Sequence, residues 1–196
     1  MPPVPADPAR RRLLRLLALS PALGVPALIA SPSAGAATTE KGQVIDLKVG
    51  HALDRLHRTV AGARDLTERS KGFLLIPGVT RAGLLIGGAY GEGALRINEM
   101  TVGYYSMASA SFGLQAGVQT YDLALFFMTT SALERFRRAE GWELGADALV
   151  TTPEAGLSAA LSTTTSQAPV IAVVFGQEGL MAGVSLAGSK YSRITR

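Results

Sequence analysis

The segment Ala108–Thr130, ASASFGLQAGVQTYDLALFFMTT, decides the fold class. From Ala110 to Gln119 every second residue is apolar (Ala110, Phe112, Leu114, Ala116, Val118), and those between are small or polar. Successive side chains of a strand point to opposite faces, so the alternation predicts a strand with one face on a core. Tyr121 to Met128 is almost continuously apolar, the pattern of a strand covered on both sides. Gly113 and Gly117 weaken the first strand and mark a bend, a bulge or a close backbone approach. The centre of the domain is therefore β-rich and carries no obvious reactive side chain. Phe112, Leu114, Phe126 and Val173 are expected in the core.

Working outward, Lys71–Pro77 (KGFLLIP) reads as a buried strand, followed by a turn at Pro77-Gly78. Ala82–Ala89 reads as another strand. Gly91-Glu92-Gly93 leads into Ala94–Ile97, Asn98-Glu99 makes a turn, and Tyr104–Met107 resumes strand. After the central segment, Ser131-x-x-Glu134 has the form of a capping box opening a short helix, 132–139, which stops at Gly141. Trp142–Thr151 returns to strand, and Pro153–Ser166 suits strand or loop. Pro169–Phe175 (PVIAVVF) is a buried strand, turned by Gln177-Glu178-Gly179 into Leu180–Ala187 as a hairpin. The expected fold class is α+β: an extensive antiparallel sheet, sandwich or barrel-like, with an N-terminal amphipathic helix and the short helix near 132–139.

The N-terminal residues 1–36 read as an export signal. Arg10-Arg11-Arg12-Leu13-Leu14-Arg15 supplies the positive region, Leu13–Ala30 the apolar run, and Ala34-Gly35-Ala36 a small-residue cleavage site. Two routes stand: the arginine pair followed by two leucines resembles a twin-arginine signal, and the same residues suit an ordinary secretory signal. The expected location is the periplasm or cell envelope. This segment holds four of the 19 basic residues and one of the 15 acidic ones, so the remainder stands at 15 against 14, a net of +1. A folded part so nearly neutral lacks the basic balance of a nucleic-acid-binding domain. The chain has no cysteine, which excludes disulfides, thiolate metal sites and cysteine nucleophiles.

Residues 37–43 read as a flexible lead-in to the domain, 44–196. Asp46–Ser70 then reads as helix with a break at Gly62. Ile45, Val49, Ala52, Leu53, Leu56, Val60 and Ala63 form one stripe at helical spacing. Lys48, His51, Arg55 and Arg58 form a second stripe beside it. Two readings of these cations stand: the solvated face of a core-packing helix, or a basic surface that meets lipid phosphates.

No catalytic or metal-binding constellation emerges. Gly87–Gly93 is glycine-rich but leads into strand rather than helix, and no Gly-Lys-Ser/Thr follows. Gly183-Val184-Ser185-Leu186-Ala187 is close to a nucleophile elbow, but its serine lies in an alternating strand with no histidine after it. His51 and His57 are the only histidines and point about 120° apart on one helix. Glu92, Glu99 and Asp147 have no spacing that brings them together, and Trp142 reads as a packing residue. No cofactor is expected.

Three blocks in order carry a family resemblance. Lys71–Pro77, Ala82-Gly83 and Gly87-Gly88-x-Tyr90-Gly91-Glu92-Gly93 resemble the opening of the SYLF domain, Ser111–Gln119 its central signature, and Gly179–Ser189-Lys190 its closing one. Ala89 departs from the acidic residue of that opening turn. The resemblance, over about residues 44–194, implies a compact domain of antiparallel sheet and flanking helices, without a catalytic motif. It also implies lipid binding, since eukaryotic members bind phosphoinositide-rich membranes and fungal ones also actin. For an exported chain the expectation is a non-enzymatic protein bound to anionic lipids or a membrane surface of the envelope. The alternative is a scaffold that binds another envelope protein through a sheet edge or helix face.

Overall fold

A computed structural model describes residues 34–83, 86–112, 117–145, 148–152, 168–179, 186 and 188–196. Along these residues run α1 (Ala34–Thr59), α2 (Ala63–Arg69), β1 (Gly72–Gly83), β2 (Ile86–Ile97), β3 (Met100–Phe112), β4 (Gly117–Phe127), α3 (Thr130–Arg138), β5 (Trp142–Glu143), β6 (Leu149–Thr151), β7 (Val170–Gly179) and β8 (Lys190–Ile194). The strands form one sheet in the order β5-β8-β3-β2-β1-β4-β7-β6. Every neighbouring pair is antiparallel except β6–β7, which is parallel. The expected α+β class holds, with a mixed sheet curled into a half-barrel.

Several sequence-level boundaries move. The alternating run Ala110–Gln119 is not one strand: β3 ends at Phe112, β4 begins at Gly117, and β2 and β1 lie between them in the sheet. The chain leaves beside Ile86 and re-enters beside Gly83, on the other side of the β1–β2 pair. Glycine disfavours strand, and the glycine-flanked segment is where the alternation crosses from one strand to the next. Leu114, and the side chain of Phe112, lie outside the described residues, as do 153–167 and the proposed hairpin partner at 180–185. Ala82–Ala89 straddles the ends of β1 and β2 instead of forming a strand of its own. Pro77-Gly78 does not reverse the chain; it makes a bulge inside β1, where the register with both neighbours shifts. Trp142–Thr151 divides into β5 and β6, which occupy opposite edges of the sheet. The helix begins at Ala34 and includes residues 37–43.

Local chemistry explains the turns and caps that hold. Asn98 and Glu99 both take positive φ, 49° and 65°, the conformation that closes a two-residue β2–β3 hairpin with the right twist. The cap of α3 is Thr129, not Ser131: the Thr129 hydroxyl accepts from Ala132 N–H at 3.2 Å. Gly93 of β2 lies against the β1 backbone; a Cβ there would sit 2.7 Å from Ile76 Cα, closer than side chains pack.

The continuous apolar runs of β1, β4 and β7 feed two cores, one on each face of the sheet. Leu74, Leu123, Leu125, Phe127, Ala172 and Val174 face one side; Phe73, Leu75, Ala124, Phe126, Val173 and Phe175 face the other. Phe126 and Val173 are buried as expected. The second core is closed by α1 and α2, whose stripe Ile45, Val49, Ala52, Leu56, Ala63 and Leu66 is buried against the sheet together with Val60 from the link between them.

The first core shows why the sheet curls. Trp142 on β5 and Phe127 on β4 are five strand spacings apart, roughly 24 Å on a flat sheet. Their ring centroids are 6.2 Å apart, and both contact Phe136 of α3, at 5.3 and 4.8 Å. Tyr105 and Tyr191 complete the cluster. The aromatic rings thus join distant strands across the interior, with α3 as the plug. Phe136→Ala is expected to cost about 3–5 kcal/mol, since it removes a fully buried ring that bridges both limbs of the curl. A chemical denaturation midpoint within error of wild type would show that the curl does not depend on this plug.

Candidate functional site

A lone carboxylate interrupts the apolar run of β4. The Asp122 side chain is 5% exposed, so its charge needs partners. Oδ2 accepts from Arg55 Nε of α1 at 2.8 Å and forms an ion pair with its Nη2, also at 2.8 Å, and Oδ1 accepts from Gly78 N–H at 2.9 Å. Irregularities in three adjacent strands make this possible. The register of β1 shifts between Ile76 and Val79, and that of β4 between Thr120 and Asp122. On β7, Gly176 takes φ 59°, and a Cβ there would lie 3.0 Å from Asp122 Oδ2. A bulge frees backbone groups from the ladder, and here it turns an N–H toward a side chain.

Where α1 crosses these bulges it leaves a cleft of about 430 Å³, lined among others by Lys48, His51, Arg55, Asp122 and Glu178. Three of the four cations expected at a lipid site therefore share one cleft. Arg58 lies farther along α1, exposed and outside that lining. Arg55 differs from the rest: about half exposed at 46%, it is committed to Asp122. Lys48 and His51 are exposed beside it, and so is Leu47, at 66%.

A second polar anchor sets the tilt of α1. Asp46 accepts from Thr101 Oγ1 at 2.7 Å and from the Tyr104 hydroxyl at 2.8 Å, both on β3. Partial burial first, then the hydrogen bond to Asp46, push the Tyr104 pKa up to about 12. Asp46 and Arg55 thus tie α1 to β3 and β4, with the buried Val49 and Ala52 between them. Neither Asp46 nor Asp122 stood out in the sequence reading, although an acid inside YDLALFF was itself a signal that a buried partner must exist.

The other sequence candidates have structural roles. Glu92 pairs with Arg196, whose hydrogen bonds hold its pKa below the usual carboxylate value, and it also accepts from Tyr90 at 2.6 Å. Trp142 packs in the aromatic cluster. Asp147 and Ser185 lie outside the described residues. Among the described residues no group of three or more His, Cys, Asp or Glu side chains is placed to hold a metal, and no helix is long and apolar enough to cross a membrane.

His57 links the two helices. Thr67 Oγ1 donates to Ala63 O, so its contact with His57 Nε2 at 3.0 Å is a bond donated by the imidazole. Burial, reinforced by the charge of Arg64, lowers the His57 pKa below 6.5. Between 6.5 and that lower value the unfolded chain binds more protons than the folded one. The stability contributed by neutral His57 is full above pH 6.5 and is lost as pH falls through the folded pKa. Wild type should thus lose stability more steeply than His57→Gln on acidification below 6.5, measured by denaturation at stepped pH; parallel profiles would remove this role.

The ion pair yields a further expectation. Arg55→Ala should cost about 2–3 kcal/mol, at the low end for breaking a buried pair because the arginine is half exposed. The double variant Arg55→Ala/Asp122→Asn should be less damaged than the two single losses added together. Additive losses in denaturant titrations would mean that the two side chains do not act as a pair.

Residues 108–195 match the family described as "Ysc84: Las17-binding protein actin regulator". The match includes the central and closing blocks of the SYLF resemblance, and shows that resemblance for this part of the chain. No curated protein matches the chain.

Proposed function

We propose that this chain, which carries the SYLF (Ysc84) match over residues 108–195, is a non-enzymatic protein of the cell envelope that associates with anionic membrane lipids through the basic face of α1. The observation that carries this reading is the cleft where Lys48 and His51 stand beside the Arg55–Asp122 pair, with Arg58 exposed on the same helix. The family description is one of binding and regulation and names no reaction. Export of the mature domain, by a signal in residues 1–36, is part of the same proposal.

The packing shapes the mode of binding. The apolar stripe of α1 is used up by the sheet, so it does not insert into lipid. Of the larger apolar side chains on the described part of α1, Val44 and Leu47 are left exposed. Arg55 is already neutralised, which leaves Lys48, His51 and Arg58 to meet lipid phosphates. A basic side chain near an anionic surface contributes about 1 kcal/mol, within a Debye length. Binding on this account is weak, peripheral and salt-sensitive.

The test is co-flotation with phosphatidylglycerol-containing vesicles at low and high salt. Wild type should bind at low salt and detach at high salt, and Lys48→Glu/Arg58→Glu should lose about tenfold or more in low-salt affinity. Equal, salt-independent binding by both proteins would contradict the proposal.

A further inference from the structure

A second concentration of positive charge lies away from α1, and the sequence reading did not single it out. The last turn of α3 carries Arg137 and Arg138, and β8 carries Lys190 and Arg193. The four side chains line one cleft of about 590 Å³, together with Glu140 and Ser192. All four cations are exposed, and among the described residues Arg138 alone of the four has an ion-pair partner, the exposed Glu134 at 3.0 Å. With Glu140 in the lining and Glu134 paired to Arg138, the four cations leave a net charge of +2 around the cleft.

Cations at a helix C-terminus are ordinary, because they oppose the negative end of the helix dipole. That accounts for Arg137 and Arg138. It does not account for Lys190 and Arg193, which come from a strand and converge on the same space. Gly141, at φ 88°, lies under the aliphatic stem of Lys190, and a Cβ at that position would collide with Lys190 Cε. The positive φ is what calls for glycine in this loop, and the lysine stem lies over it. Arg193 and Arg137 both act on one phenol beneath the cleft, each lowering the pKa of Tyr105 against the larger rise that burial causes. Both guanidiniums line the same cleft.

We propose that the cleft between the C-terminal end of α3 and β8 is an anion site for a multiply charged phosphate group, a phosphomonoester or pyrophosphate. Guanidinium forks bind phosphate oxygens in pairs, and an ammonium adds a point charge. Three or four cations provide more compensation than a carboxylate or a singly charged phosphodiester needs. The same chemistry is presented by a lipid with a phosphomonoester headgroup and by a free phosphorylated solute. The site does not depend on the α1 face.

The experiment uses the full domain with two probes: inorganic pyrophosphate by calorimetry, and vesicles containing phosphatidic acid compared with vesicles containing phosphatidylglycerol. Wild type should bind pyrophosphate, and Arg137→Gln/Lys190→Gln should weaken that binding about tenfold or more. Arg193→Gln should weaken it to a lesser degree. Lys48→Glu/Arg58→Glu should leave it unchanged, so a failure of the α1 reading would not register here. A preference for phosphatidic acid over phosphatidylglycerol that disappears in the Arg137/Lys190 variant would identify the lipid as the source. Pyrophosphate binding without that preference would identify a soluble phosphate compound. If wild type binds no pyrophosphate and shows no preference between the lipids, or if the double variant matches it on both probes, the site does not exist.

Discussion

A buried carboxylate has to be compensated or the chain does not fold around it, and in this domain that carboxylate is Asp122. Uncompensated, it would cost several kcal/mol. Its compensation draws on two other elements: Gly78 N–H from a bulge in β1 and the Arg55 guanidinium from α1, with Gly176 of β7 leaving it room. The arrangement fixes where α1 crosses the sheet. Asp46 fixes the other end through Thr101 and Tyr104. Between these anchors the apolar stripe provides the bulk of the contact and little directional information, since hydrophobic burial is nearly indifferent to rotation and sliding.

The same interactions govern what α1 has left for function. Its apolar stripe is occupied by the sheet and its most central cation by Asp122, so the outward face is one of scattered charge. On the opposite face of the sheet, the aromatic cluster around Phe136 pulls distant strands together and places α3 at the mouth of the curl. The two clefts are consequences of these two packings, one on each helical layer: cations outnumber acids in the lining at α3, whereas Asp122 and Glu178 balance Lys48 and Arg55 at α1. The proposed electrostatic recognition agrees with the binding and regulatory description of the family matched.

Much of the secondary structure was legible because period-two and period-3.6 patterns are local. KGFLLIP, PVIAVVF and the run Tyr121–Phe127 announced their strands, and the stripe from Ile45 to Ala63 announced its helix. What failed was non-local. The alternation through Gly113 and Gly117 does not reveal that two strands with a hairpin between them share it. Pro77-Gly78 has the chemistry of a turn, and only its neighbours on both sides make it a bulge. Lys48, His51 and Arg55 were found together because helical spacing brings them together, but the pairing of Arg55 depends on a residue 67 positions away. The cleft of Arg137, Arg138, Lys190 and Arg193 joins two segments that no sequence period connects.

The central claim is that the basic face of α1 meets the lipid surface. Because the chain lacks cysteine, a single introduced one reports from one place. A fluorophore at Leu47→Cys sits on α1 next to Lys48, and one at Val150→Cys sits on the edge strand β6. The measurement is quenching of each label by aqueous iodide, with and without vesicles containing phosphatidylglycerol. The account predicts that the vesicles shield the label at 47 and leave the label at 150 open to quencher. Shielding at 150 with none at 47, when the protein is bound, would contradict it.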